Sequence, residues 1–132
     1  SGFVYATALP PAVLGAMDAA LELVPTLGAE RAWLQDAAGQ VRAAFAAAGI
    51  ESGPSSTQIV PAMVGSEAAA MAASAALEEA GILGIAIRPP TVPAGTSRIR
   101  FALSAVHDRD AIARLIAAMC AVHKARLGVV AA

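Results

Sequence analysis

Residues 97–103 read Ser-Arg-Ile-Arg-Phe-Ala-Leu, and their alternation constrains the fold more than any other feature. Ile99, Phe101 and Leu103 fall on one side of an extended chain, and Arg98 and Arg100 on the other. A period of two predicts a strand with one face buried and one open. Upstream, residues 88–100 read RPPTVPAGTSRIR. Three prolines there fix φ and favour extended, polyproline-like backbone, and Gly95 permits the turn into the strand. The loop is expected to present Thr91 in a set place beside two co-facial arginines. A guanidinium matches a carboxylate with two parallel hydrogen bonds, so this face is a candidate carboxylate site. Paired arginines on a strand are also an ordinary solvated face.

The remaining elements follow from periodicity and punctuation. Pro10 and Pro11 suit the first turn of a helix carrying Val13, Leu14, Met17, Leu21 and Val24, which Pro25 stops. A second helix is expected over 29–48, with Trp33, Leu34, Val41 and Phe45 on one face and Gly49 just past its end. Residues 52–56 read as a loop. A strand is expected over 57–64, with Pro61 forcing an edge or a bulge. Ser66 caps a helix to Ala80, Gly81 ends it, and 82–88 reads as another strand. Asp108 caps a last helix with Ile112, Leu115, Ile116, Met119 and Val122 inward. The order α-α-β-α-β-β-α predicts an α+β fold: a small, mainly antiparallel three-stranded sheet with helices on one face, preceded by long helices. Residues 1–28 are expected to link to another domain, and 29–132 to form the small domain.

Composition narrows the function. Of 132 residues, 58% are hydrophobic, about a quarter alanine, and only 4% aromatic, so the core is thin and part of the apolar surface is expected to meet another domain or chain. A net charge of −1 argues against nucleic acid, and no uncharged apolar run reaches ~18 residues, which argues against a spanning helix. No signal peptide is visible. One cysteine, Cys120, excludes an internal disulfide framework and a multi-cysteine metal site, and fits a reducing, cytoplasmic compartment. Cys120 reads as a buried inert thiol and His107 as helix-terminus structure. The sole lysine, Lys124, sits beside His123 and Arg126 in what reads as a solvated stretch, the wrong setting for a Schiff base.

RPPTVPAGTSRIR, followed by Ser104-Ala105-Val106-His107, resembles the C-terminal domain of the α-oxoamine synthases, pyridoxal-phosphate (PLP) enzymes of the fold-type I superfamily. Tyr5-Ala6-Thr7-Ala8-Leu9-Pro10-Pro11 and Ser56-Thr57-Gln58-Ile59-Val60-Pro61 resemble two further segments of that family, in the same order and with similar spacing. The form RPPTVPAGT resembles the member that condenses L-alanine with a pimeloyl thioester, on CoA or acyl carrier protein, with loss of carbon dioxide. The resemblance implies that Arg100 receives the amino-acid carboxylate and that Thr91 lies near the acyl-thioester entrance. It implies that Thr7 reaches the cofactor phosphate of a neighbouring subunit in a homodimer. Ala6 departs from the usual Ser or Thr. Arg98 is expected to support Arg100, and Arg88 to lie near the end of the acyl chain.

The same resemblance implies that the cofactor lysine, the aspartate on the pyridinium nitrogen and the stacking histidine belong to an upstream large domain. The fragment alone is then expected to bind no PLP covalently and to catalyse nothing. A stand-alone amino-acid-binding module and a purely structural dimerisation fragment are the competing readings. Saturable binding of L-alanine to the isolated chain marks the former, and indifference of turnover to Arg100→Ala marks the latter.

Overall fold

The computed structural model describes residues 8–128. Helix α1 (Pro11–Leu23) starts with proline in its first turn and runs into a 3-10 turn at Val24–Thr26. Helix α2 (Gly28–Ala47) leaves at 78° to it. Strand β1 (Ile59–Gly65), helix α3 (Glu67–Glu79), strands β2 (Ile85–Ile87) and β3 (Ser97–Ala102), and helix α4 (Arg109–Arg126) follow. Among the described residues no single helix is long and apolar enough to cross a membrane.

The three strands are antiparallel in the order β1-β3-β2, so the alternating segment is the central strand. Its inward residues Ile99, Phe101 and Leu103 meet Val60, Ala62 and Val64 of β1 in one buried layer. Helix α3 crosses all three strands, α2 lies against β1, and α4 packs on α2 and α3. Helices therefore cover one face of the sheet. Phe45 of α2 tilts against Phe101 with ring centroids 5.9 Å apart, joining helix layer to sheet. Pro61 sits on an edge strand, and β1 also shifts register between Met63 and Gly65, so both devices expected of that proline occur.

Helix ends obey local chemistry. The Ser66 hydroxyl accepts from Ala69 N–H, and the Asp108 carboxylate accepts from Ala111 N–H at 2.7 Å. Helices α2 and α3 close with the same paired bonds. Ile50 N–H reaches Phe45 O and Gly49 N–H reaches Ala46 O; Ile82 N–H reaches Leu77 O and Gly81 N–H reaches Glu78 O. Gly49 and Gly81 take the positive φ this closure needs, +74° in both.

Two expectations are corrected. The strand expected over 82–88 is only Ile85–Ile87. The Ile82 amide is committed to the end of α3, and Gly84 is wedged into the core; a Cβ there would lie 2.7 Å from Ile99 Cγ2 and 3.0 Å from Leu77 Cδ1. The loop after β2 is not one extended run. It makes two successive turns, closed by Thr91 N–H to Arg88 O and Thr96 N–H to Pro93 O. With no amide to donate to a neighbouring strand at each proline, the chain closes its bonds locally instead.

Helix α1 differs from the rest. None of its residues is buried, and Val13, Leu14, Met17 and Leu21 are all exposed. The apolar stripe read from the sequence is present, with no other element of the described residues covering it.

Candidate functional site

The open face of the sheet carries the arginines. On it, Arg100 lies between Pro61 of β1 and Ile85 of β2, and Arg98 between Met63 and Ile87. Side chains directly opposite one another on a sheet face are neighbours, so each aliphatic arginine stem is flanked by apolar side chains while its guanidinium reaches outward. The two arginines are not equivalent. Arg98 is half-buried and its Nε–H donates to Thr96 O at 3.0 Å, which ties it to the preceding turn. Arg100 is exposed and makes no hydrogen bond or ion pair among the described residues. Its charge is free to meet an anion, as a carboxylate site requires, and no acid of the described residues neutralises it.

Thr91 lies exposed in the first of the two turns leading into β3, with its amide bonded to Arg88 O at 3.0 Å. Arg88 is not free: its Nη1 pairs with Glu67 Oε1 of α3 at 2.6 Å, both side chains about half exposed. That pair fastens the loop to the start of α3, and it takes up the cation expected near the acyl chain. Thr7, with Tyr5 and Ala6, lies outside the described residues.

His107 ends the turn after β3. Its Nδ1 accepts from Ser104 N–H at 3.2 Å, and its carbonyl accepts from Trp33 Nε1–H at 2.9 Å. Arg109 lies over the Trp33 ring, 5.0 Å from the centroid. The helix-terminus role read for His107 is what the structure shows, with α2 holding it in place through Trp33. Cys120 is a free, partly buried thiol packed against the core.

The end of α4 departs from the sequence reading. The stretch around Lys124 reads as solvated, and Lys124 and Ala125 are exposed, but His123 and Arg126 are tied into the fold. His123 is buried, and Arg126 Nη1 donates to Val64 O at 2.6 Å. Val64 sits at the register shift of β1, where the ladder skips a residue, and Arg126 supplies its carbonyl with a donor. Arg126 Nη2 also approaches His123 Nδ1 at 3.4 Å. Burial, then the neighbouring Arg126 charge, lowers the His123 pKa from the ordinary imidazole value, which favours the neutral ring. A signal for this is present in the sequence: His123 stands four residues after Met119 and so continues the buried stripe.

PLP chemistry requires an amine held in a dry pocket. The single lysine of the chain, Lys124, is exposed at the last turn of α4 and does not fit that role. No group of three or more metal-ligating side chains occurs among the described residues.

The comparisons with known proteins agree with one another. The family model described as aminotransferase class I and II matches residues 1–119. An 8-amino-7-oxononanoate synthase of Gluconacetobacter diazotrophicus is 59% identical over 119 residues, 90% of this chain and 30% of that protein. One of Geobacter sulfurreducens is 47% identical over 130 residues, 97% of this chain and 33% of that protein. The chain thus spans about a third of the length of these curated relatives. Among solved structures, a serine palmitoyltransferase of S. paucimobilis carrying a PLP–myriocin aldimine matches with a TM-score of 0.85 and 25% identity, over 97% of this chain and 32% of that one. An 8-amino-7-oxononanoate synthase of Francisella tularensis shares the fold with a TM-score of 0.78 at 23% identity, over 93% of this chain and 36% of that one. A matched model over most of the chain, and relatives that carry the family of the RPPTVPAGT loop in their names, lead to one statement: this chain belongs to the class I and II aminotransferase family, with the α-oxoamine synthase resemblance upheld.

Proposed function

We propose that the protein containing this chain is a PLP-dependent acyltransferase that condenses L-alanine with a pimeloyl thioester, giving 8-amino-7-oxononanoate, carbon dioxide and the free thiol, a step of biotin biosynthesis. The observation that carries this reading is the unpaired Arg100 guanidinium, fixed on the central strand and facing outward from the uncovered side of the sheet. Relatives named for this activity support it.

In this reading the chain supplies the substrate-facing wall. Arg100 takes both carboxylate oxygens of the amino acid and fixes the direction of the bond to be broken, which a point charge does not do. The buried inner half of β3 holds Arg100 in place against the core. Thr91 offers a hydroxyl on the loop leading into β3 for the incoming thioester, and Thr7 reaches the cofactor phosphate across a homodimer interface. When bound, PLP supplies the electron sink. Its lysine, the aspartate on its ring nitrogen and its stacking histidine come from a separate, N-terminal large domain, and residues 1–28 join the two parts. The chain by itself is inactive. The free thiol of Cys120 suits a reducing cytoplasm.

The test is Arg100→Lys in the full-length protein. KM for L-alanine is expected to rise about tenfold or more, since a charge-assisted fork is replaced by a single ammonium. Unchanged L-alanine kinetics would remove the basis of the reading.

A further inference from the structure

A cleft of about 360 Å3 opens at the β2 edge of the sheet, between residues 81–85, the end of β3 and the first turns of α4. It exists because β2 stops short. The β2 ladder ends at Ile85, opposite Arg100, while β3 runs on to Ala102. Leu103 N–H donates to Gln58 O on the β1 side, so alternation turns the peptide groups of Ala102 the other way, towards the space where β2 is missing.

The polar side chains around this cleft are of one kind. Arg100, Arg114 and His107 line it, and no Asp or Glu does. Because His107 Nδ1 accepts from Ser104 N–H, the neutral ring carries its proton on Nε2 and can only donate there. Neither Arg100 nor Arg114 has an ion-pair partner among the described residues. The walls between these donors are apolar: Ile82, Leu83, Ile85 and Ile112. Leu83 stands at the rim, 79% exposed. The volume lies at the small end of the ~300–1,000 Å3 range of ligand sites.

We infer that this cleft is a binding site for the carboxylate end of a short aliphatic chain, with Arg114 and His107 as its anion-binding groups. Nitrogen donors around one cleft with no acid among them select an anion, and apolar walls select the hydrocarbon behind it. Arg114 is the residue that defines the site, since Arg100 also serves the open sheet face. The inference does not depend on the proposed reaction.

Calorimetric titration of the full-length protein with hexanoate tests it, with hexan-1-ol and inorganic phosphate as comparators. Hexanoate is expected to bind saturably, with hexan-1-ol weaker by about tenfold or more, and Arg114→Gln is expected to weaken hexanoate by about tenfold. Ala111→Leu, which fills the cleft without altering charge, is expected to abolish binding. Equal hexanoate affinity in wild type and Arg114→Gln overturns the inference, as does phosphate competing as well as hexanoate itself. If Arg100→Gln alone removes hexanoate binding, the anion sits on the open sheet face; the cleft is then lost and the amino-acid reading survives. Loss of hexanoate binding in Arg114→Gln together with unchanged L-alanine kinetics in Arg100→Lys supports the cleft and removes the amino-acid reading.

Discussion

The two faces of strand β3 are made from consecutive residues and behave in opposite ways. Ile99 and Phe101 are at most 1% exposed, locked between Val60 and Ala62 on one side and the helices above. Arg98 and Arg100, one position away, face out from a side of the sheet that no described element covers. The inner face carries the folding free energy, and the outer face presents charged groups to whatever meets it. A rigid site is most readily built on the reverse of a packed core, because the backbone is already fixed there.

This contrast can be broken most forcefully from inside. Phe101→Ala removes a ring packed against Phe45 and should cost about 3–5 kcal/mol, read by chemical denaturation of the full-length protein. A loss under about 1 kcal/mol would mean that the inner face does not hold the strand. Gly84→Ala probes the same core from β2: the added methyl meets Ile99, Leu77 and Phe101, and overpacking should cost about 1–3 kcal/mol.

A titration sharpens the comparison at the far end of the core. The His123 pKa lies below its unfolded value, so on acidification the unfolded chain takes up a proton before the native one does. Stability is therefore expected to be full above about pH 6.5, the unfolded value, and to decline as pH falls from there to the lowered folded pKa. Thermal midpoints across pH 5–8 check this, and His123→Gln should flatten that slope.

The smallest effects belong to the exposed and half-exposed charges. Arg88→Ala, which breaks the half-exposed pair with Glu67, should cost under about 1 kcal/mol. Arg100→Ala should change stability by no more than about 0.5 kcal/mol, since the side chain is exposed and unpaired. A large destabilisation by Arg100→Ala would show that the residue holds the fold rather than a ligand.

Much of the fold is legible in the residues. Alternation in 97–103 identifies the central strand's two faces, and Ser66, Asp108, Gly49 and Gly81 mark helix boundaries that the structure keeps within a residue or two. Arg100 as a free guanidinium follows from the same alternation. The short β2 is readable in part, since a glycine within a strand signals close backbone approach, and Gly84 provides it. The Val64–Arg126 bond is not readable. It joins residues 62 positions apart, and nothing near either of them announces the other.

What the sequence settles by itself is everything with a short range: periods of two and 3.6, caps, positive-φ glycines and which side chains share a face. These depend on residues a few positions apart, whose geometry is set by the backbone alone. Tertiary structure alone decides which donors meet across long loops. The strand order β1-β3-β2, the burial of His123 beside Arg126, and the meeting of Arg100, His107 and Arg114 around one cleft all arise there. Such meetings are fixed by packing of the whole chain, because no local preference carries information about a partner that arrives from elsewhere.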